Sequence, residues 1–350
     1  MQLKKKNLSL KSSPWIALLL LLVTVVFSAV LGNAHISIPD FLRIVASRLP
    51  LIGDSISISD LPTAYTTIIF NLRLPRILLA LFAGAGLATA GAVFQGVFGN
   101  PMAEPYLLGV SSGAAFGATL ATILNIQIAV IGFGSLGLFA FVGAMVVMLL
   151  IFRLSLIKGQ ASVSVLLLSG LAINYFLSSV ISILMTFNHD KIEEVYFWTM
   201  GSFKNASWEK VVIIGLIVLT VTFYLQRHAK ELDLLMLGDE QAKSLGVPVD
   251  SLKKKLLLIA SFVAAIIVSS SGIIGFVGLI IPHAARFLVG PAHKRMLPLT
   301  ALIGGIFLIL SDTIARSIIP NMELSTGIIT SLFGIPFFLW LLYINRKSVR

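Results

Sequence analysis

Hydrophobic residues fall in ten long runs along the chain, and shorter polar segments separate them. A helix needs about 20 mostly apolar residues to cross the hydrocarbon core of a bilayer. The pattern therefore predicts an all-α membrane protein, a polytopic bundle of about ten transmembrane helices in a single domain over residues 1–350. The predicted spans are residues 15–32, 76–98, 106–124, 128–152, 163–187, 211–227, 256–271, 273–290, 297–316 and 327–345.

Three stretches are too polar to be buried in lipid, and we expect them to be loops: residues 33–75, 188–210 and 228–255. A lysine triplet at residues 4–6 precedes the first apolar run. That arrangement is shared by a first span and by a signal peptide cleaved near Ala34. The length of the run and the spans that follow it favour a first span.

Composition agrees with a membrane location and excludes a soluble enzyme, because 57% of the residues are hydrophobic and only 12% are charged. The net charge of +11 would suggest nucleic acid in a soluble protein. With the N-terminus inside, however, 18 of the 26 basic residues fall on the cytoplasmic side and eight fall outside. This bias predicts that both termini are cytoplasmic, and it explains the charge without nucleic acid.

Several short motifs match by accident. Residues 132–137 fit the dinucleotide fingerprint but lack its preceding strand and its downstream acidic partner. Ser111 lies in a nucleophile-elbow pattern without the strand, turn and helix that the motif needs. The spacing of Gly109, Gly113 and Gly117 instead predicts close helix packing. No Gly-Lys pair is present, so the chain has no P-loop with which to hydrolyse ATP.

Two segments break the predicted helices. Prolines and a glycine interrupt residues 98–105, which fits either a simple cytoplasmic turn or a pore-lining segment. Three glycines and a proline fall within residues 272–286, next to His283. A lone histidine near a helix end is usually structural, although it can act as a ligand or proton carrier.

Four charged residues lie near the predicted outer face. Asp312 and Arg316 have the spacing of a local ion pair; alternatively, Arg316 faces an external acidic partner while Asp312 orients it. Arg73 and Arg76 run against the charge bias. They are either an interfacial pair or a docking site for carboxylates, which the planar guanidinium fork suits.

The loop over residues 228–255 is predicted to be cytoplasmic, and we call it the inner loop. It contains a predicted amphipathic helix over residues 237–247. Asp239 and Glu240 suit its first turn, Lys243 lies later, and Gly246 lies near its end. Such a helix is either a solvated surface element or one that fits a groove in a cytoplasmic partner.

Taken together, these segments resemble the iron-siderophore/haem/vitamin B12 (FecCD-type) class of bacterial ABC importer permeases. The resemblance runs from about residue 70 to the end, and it is specific as a set. The matching segments are RLPR (73–76), FGNPMAEPYLLGVSSGA (98–114), WTMGSF (198–203), LGDEQAKSLGV (237–247), GFVGLIIPHAARFLVG (275–290), the Asp312–Arg316 pair and GIPFFLWLL (334–342).

The resemblance implies a multi-pass permease of the bacterial cytoplasmic (inner) membrane, surrounded by lipid and paired with a second copy of itself. Two cytoplasmic ATPase subunits would bind below, and a periplasmic or lipoprotein substrate-binding protein would dock above. The chain itself would hold no cofactor and no metal, because ATP and Mg²⁺ belong to the partner ATPase. Arg73, Arg76 and Arg316 match the arginines that receive glutamates of the binding protein.

The same resemblance assigns two inner sites. The coupling helix that enters the ATPase cleft matches Leu237, Gly238, Asp239, Glu240, Ala242, Leu245 and Gly246. The cytoplasmic gate matches Asn100, Met102, Val163 and Ser164. The vitamin B12 relative has a polar residue where Val163 stands, which makes vitamin B12 a less favoured cargo.

The expected function is translocation of an iron complex by alternating access. The favoured cargo is a ferric siderophore, followed in preference by haem and then by a corrinoid. An ion-coupled secondary transporter is the alternative, but it needs ionisable residues at mid-membrane, and Asp312 is the only acidic residue in a predicted span. An intramembrane enzyme using His283 and Ser111 is less favoured, because they lie on different spans without a convincing third partner.

Overall fold

The computed structural model describes residues 14–32, 34, 36–48, 53–130, 132–157, 160–161, 163–320 and 322–348; the lysine triplet at 4–6 lies outside them. The described chain is a helical bundle with two small antiparallel hairpins. Its helices are α1 (Pro14–Val30), α2 (Ile38–Ala46), α3 (Thr63–Thr67), α4 (Leu74–Phe98), α5 (Val110–Ile123), α6 (Ser135–Leu154), α7 (Val163–Phe187), α8 (Ile192–Thr199), α9 (Trp208–Arg227), α10 (Ala229–Leu235), α11 (Asp239–Ser244), α12 (Val249–Ser271), α13 (Val277–Val289), α14 (His293–Ser317) and α15 (Thr326–Ser348).

Shorter elements join these helices. A π-helical segment, Ile68–Arg73, runs from α3 into α4, and 3-10 turns cover Gly53–Ser55, Pro105–Leu108 and His189–Lys191. One hairpin pairs β1 (Ala129–Val130) with β2 (Phe133–Gly134), and the other pairs β3 (Leu156–Ile157) with β4 (Gln160–Ala161).

A helix stands at each of the ten predicted apolar runs, namely α1, α4, α5, α6, α7, α9, α12, α13, α14 and α15. Within the described residues, five helices are long and apolar enough to cross a membrane: Thr63–Phe98, Ser135–Leu154, Val165–Phe187, Trp208–Arg227 and His293–Ser317. Four shorter apolar helices accompany them. The protein is therefore an all-α, polytopic membrane bundle.

Several boundaries differ from the sequence prediction; helix α6, for example, begins at Ser135 rather than at residue 128. The stretch predicted as a loop over 33–75 contains α2 and α3, and the helix that includes α4 begins at Thr63 rather than at residue 76. Helix α12 begins at Val249 rather than at residue 256, because the lysines of its second turn lower the local hydropathy while Leu252 on the same turn is buried. Helix α13 begins late because Phe276 is left-handed, with φ of +68°.

Helix α4 is the centre of the bundle and is buried along most of its length. Glycines let two neighbours come close to it. A Cβ atom on Gly84 would lie 2.1 Å from the carbonyl oxygen of Gly304 in α14, and one on Gly91 would lie 1.9 Å from that of Gly278 in α13. Small residues at helix crossings give this close packing in membrane bundles, where apolar burial alone does not drive association.

The predicted packing role of the glycine series in α5 is confirmed. A Cβ atom on Gly113 would lie 2.5 Å from the carbonyl oxygen of Gly143, and one on Gly117 would lie 2.0 Å from that of Phe139, both in α6. Gly109, at the start of the series, has φ of +70° and faces Ile151 of α6. This segment is therefore a helix start and packing face, not a nucleophile elbow.

Candidate functional site

Arg73 holds the end of helix α1. Its guanidinium donates to three main-chain oxygens, those of Ala29 (2.5 Å), Val30 (3.0 Å) and Ala34 (2.7 Å). The last carbonyls of a helix have no intrahelical partner, and a cation beside them also suits the helix dipole. Arg73 is 7% exposed, so this contact is internal to the chain.

Arg316 completes the same cap from helix α14. Its Nη1 donates to the Leu31 carbonyl at 2.8 Å, and its Nη2 donates to the carbonyl and, at 3.1 Å, to the hydroxyl of Ser28. Gly32 lies directly between the two arginines, since a Cβ atom there would be 2.8 Å from Arg73 Nη2 and 3.0 Å from Arg316 Nη1. Both guanidiniums therefore anchor the end of α1 to the rest of the bundle.

Arg76 forms a bidentate ion pair with Asp312. Its Nε and Nη2 lie 2.8 and 3.0 Å from the two carboxylate oxygens, and its Nη1 lies 2.9 Å from Glu323. Thr326 donates a further hydrogen bond to Asp312 at 3.0 Å. The expected Asp312–Arg316 contact is present only as a 3.8 Å ion pair. Asp312 therefore orients chiefly Arg76, from across the bundle, rather than Arg316 on its own helix.

The three arginines predicted to dock a binding protein thus lie in one cluster, which we call the outer arginine cluster (Arg73, Arg76 and Arg316, with Asp312). In this conformation each of the three guanidiniums donates to groups within the chain, and Arg316 is only 8% exposed. Carboxylates of a partner would reach Arg73 and Arg316 only if the end of α1 moved aside. Their docking role stays a prediction.

At the opposite end, the predicted amphipathic helix of the inner loop is α11. Gly238 just before the helix has φ of +106°, and Gly246 just after it has φ of +84°. The two glycines therefore allow the sharp backbone turns at which the helix begins and ends. Ala242 is fully buried, and Lys253 pairs with Asp239 at 2.6 Å. The ion pair therefore attaches α11 to the beginning of α12, and the helix packs against the rest of the chain.

Three apolar side chains of this loop face outward: Met236, Leu237 and Leu245, of which the last is 61% exposed. We call them the coupling surface, together with the exposed Glu240. Apolar patches rimmed by charge mark protein contacts. The surface has the chemistry of such a contact, and its binding to an ATPase subunit stays a prediction.

A polar contact that the sequence pattern did not predict joins α10 to α14. Asp233 of α10 accepts hydrogen bonds from both the main-chain nitrogen (3.0 Å) and Nδ1 (2.6 Å) of His293, the fully buried first residue of α14. Helix α10 directly precedes the coupling surface, and α14 carries Asp312 and Arg316 at its other end. The polar pair at residues 233 and 293 was the available signal, but their separation in sequence concealed it.

The predicted cytoplasmic gate is described in part. Gly99 is left-handed, with φ of +59°, and the Asn100 side chain accepts the Met102 main-chain N–H at 2.9 Å, which makes residues 98–105 an ordered turn. Met102 is 39% exposed. Val163 and Ser164 begin α7, but their side chains lie outside the described part of the chain. Convergence of these four side chains therefore stays a prediction.

Glu104 in this turn gives a pH prediction. Burial raises the pKa of its carboxyl to about 7. Unfolding returns the group to water, so the unfolded chain loses this proton at lower pH, and the free energy of unfolding falls as the pH rises from about 4.5 to 7, by at most ~3 kcal/mol. Thermal unfolding in detergent should show this slope, and Glu104→Gln should flatten it. Equal slopes in both proteins would contradict the assignment.

The residues proposed for an intramembrane enzyme do not come together in a catalytic site. Ser111 Oγ is buried and forms no hydrogen bond with any described residue, and His283 lies on a separate helix, α13. Among the described residues, no group of three metal-ligating side chains forms a cluster. The site residues instead divide between the two ends of a membrane bundle, an arrangement typical of a transport permease.

Comparisons with known proteins give the same class. The FecCD transport family matches residues 20–344, so the chain belongs to that family and is an ABC importer permease, not an enzyme. The cobalamin import permease BtuC of Halobacterium salinarum is 43% identical over 281 residues, covering 80% of this chain and 74% of that protein. The molybdate import permease MolB of Haemophilus influenzae is 36% identical over 339 residues, covering 94% of this chain and 95% of that protein.

A solved structure of similar chain length has the same fold. It is described as an inward-facing conformation of a metal-chelate type ABC transporter, and it matches with a TM-score of 0.80 and 34% identity over 95% of this chain and 99% of that one. The resemblance drawn from the sequence motifs is therefore confirmed at the level of the family.

Proposed function

We propose that the chain is the membrane-spanning subunit of an importer that moves an iron complex into the cytoplasm. A ferric siderophore is the favoured cargo, and haem or a corrinoid is the next choice. The family match over residues 20–344 carries this proposal. The similar structure is described as a metal-chelate type transporter, which supports a chelate cargo. The relatives named for cobalamin and molybdate make cargo the part of the proposal that most needs a direct test.

In the proposed assembly, the chain pairs with a second copy in the bacterial inner membrane, with ten spans and both termini cytoplasmic. Two ATPase subunits bind the coupling surface, and a binding protein docks at the outer arginine cluster. ATP and Mg²⁺ reside on the ATPase subunits, and this chain holds no cofactor.

The geometry supports one route by which ATPase motion reaches the outer face. Movement at the coupling surface displaces α10, and the Asp233–His293 contact transmits it to the start of α14. Helix α14 continues through Pro298 over its 25 residues, and in this proposal it carries the displacement as a unit to the outer arginine cluster. Alternating access follows as a tilt of packed helices between two copies.

Transport assays test both energy source and cargo. Cells lacking their own permease would receive this chain with its cognate ATPase and binding protein, and uptake of labelled ferric siderophore, haem, cobalamin and molybdate would be measured. We expect ferric siderophore uptake that stops when the ATPase P-loop lysine is replaced and persists when the proton gradient is collapsed at constant ATP. Uptake that survives loss of the ATPase would favour the ion-coupled alternative, and uptake of another cargo alone would overturn the siderophore assignment.

Docking at the outer arginine cluster is tested with Arg76→Lys. A charge reversal at Arg73 or Arg76 would place a carboxylate against helix carbonyls or Asp312, so the milder change preserves the fold better. Lysine keeps the charge but loses bidentate geometry. We expect the affinity for the binding protein to fall about tenfold, as for loss of one charge-assisted hydrogen bond.

The matched control is Arg43→Lys, because Arg43 forms an ion pair with Asp60 at 2.7 Å in the predicted outer loop, away from the cluster. Titration of the binding protein onto the purified permease at two salt concentrations would measure both variants. The docking assignment fails if Arg76→Lys binds as tightly as the control and the affinity does not depend on salt.

A further inference from the structure

A groove opens between α6, α9 and α12, with a volume of about 470 Å³. Its walls are apolar and include Met145 and Met148 of α6, Val221 and Tyr224 of α9, and Leu258 and Phe262 of α12. This size falls within the range of roughly 300–1,000 Å³ of small-molecule sites. None of the residues that line the groove belongs to the coupling surface or the outer arginine cluster, and the transport mechanism does not use it.

The groove opens on the outer surface of the helical bundle. Beside it, α6 exposes Val146 and Leu149, and α9 exposes Leu216, Leu219 and Phe223, the last with 62% of its surface accessible. In a membrane-embedded bundle, exposed apolar faces of this kind meet lipid hydrocarbon. A molecule entering the groove would therefore come from the bilayer.

Two polar groups stand at one end of these apolar walls. The Tyr224 hydroxyl is buried and has no hydrogen-bond partner within the described part of the chain. Lys255 Nζ lies 4.9 Å from the centroid of the same tyrosine ring, and Lys255 itself is exposed. The hydroxyl is covered by protein atoms, so the ring of Tyr224 forms the wall and the groove surface itself is apolar. The exposed ammonium of Lys255 beside that ring is the group that can meet an anion.

This end of the groove is basic on all three helices that line it. Arg153 lies at the end of α6, Arg227 at the end of α9 and Lys255 near the beginning of α12. Among the described residues, none of the three has a carboxylate within ion-pair distance. The acidic groups of the adjoining segment contact other residues, namely Asp239 with Lys253, Asp250 with Lys243, Asp233 with His293, and Glu231 with His228, whose ring packs on Tyr224.

We propose that this groove binds an anionic phospholipid. An acyl chain lies along the apolar walls, and the phosphate accepts a hydrogen bond from Lys255 Nζ. Basic pockets between membrane helices select anionic headgroups in this way. The site goes beyond the proposed transport function and does not depend on which cargo the permease carries.

Native mass spectrometry of the purified full chain tests the proposal, with phosphatidylglycerol and phosphatidylcholine titrated separately. Wild-type protein should retain phosphatidylglycerol preferentially. Lys255→Ala should lower phosphatidylglycerol binding about fivefold, the effect of one basic residue at an anionic headgroup, and leave phosphatidylcholine binding unchanged.

Two further variants make the outcome decisive. Lys294→Ala removes an exposed basic residue at the same end of the bundle, on α14, and should leave binding at the wild-type level. Val221→Phe narrows the groove and should reduce the binding of both lipids. The proposal is overturned if Lys255→Ala and Lys294→Ala have equal effects, or if Val221→Phe leaves phosphatidylglycerol binding intact. A failure of siderophore uptake would leave these lipid results unaffected.

Discussion

The double variant Leu237→Asp/Leu245→Asp is expected to lose its ATPase partner and all coupled uptake. Both leucines are more than half exposed, so the permease alone gives up no core packing when they are replaced. Burying a leucine side chain contributes about 1.5–3 kcal/mol, so removing two from an interface weakens it by about a hundredfold or more. Added carboxylates would also be stranded in an apolar cleft, which deepens the loss.

Copurification of the ATPase with the permease, and ATP hydrolysis stimulated by the binding protein, would measure this effect. The matched control is Gln241→Asp, which adds a charge to the exposed surface of the same helix without removing an apolar contact. We expect the control to keep most of its partner, and both variants to unfold at the wild-type temperature. Normal ATPase assembly in the double leucine variant would show that the partner binds elsewhere.

Sequence patterns predicted the helices of this protein well because burial in a bilayer is a local property of each segment. An apolar run of sufficient length must satisfy its own backbone, and a helix does this within the segment. The close contact of α5 and α6 was also predictable, since Gly113 and Gly117 stand one helical turn apart and give the backbone of α6 room to approach. The motifs then carried the family assignment without further structural information.

Polar partnerships were less predictable because they join residues far apart in sequence. The sequence suggested that Asp312 pairs with Arg316 four residues away, whereas its main partner is Arg76, on a different helix. Nothing in the local pattern indicated that Arg73 and Arg316 cap α1, because a helix end and its donors meet only in the folded bundle. The same limit concealed the contact between Asp233 and His293.

Asp312→Ala is expected to be the most destabilising single change in the outer arginine cluster. The carboxylate is 2% exposed, and its removal leaves Arg76 and Arg316 as neighbouring cations with little access to water. Breaking a buried ion pair by removing one partner costs about 3–5 kcal/mol, because the remaining charge stays desolvated. We expect the free energy of unfolding to fall by about that amount, with α1 loosened first because Arg316 also holds its end.

Glu323→Gln is the matched control, because Glu323 contacts the same arginine but is 40% exposed. Exposed pairs contribute about 0–1 kcal/mol, so the control should unfold close to wild type. A rescue variant separates lost charge balance from lost packing: Arg76→Met/Asp312→Leu removes both charges and should recover part of the lost stability, since apolar replacements of buried pairs are often neutral or better. Unfolding in detergent would compare the four proteins. If Asp312→Ala is as mild as Glu323→Gln, the cluster is hydrated and its arginines are open to a docking partner. A large loss with rescue shows instead that Arg76 and Asp312 form a desolvated structural ion pair.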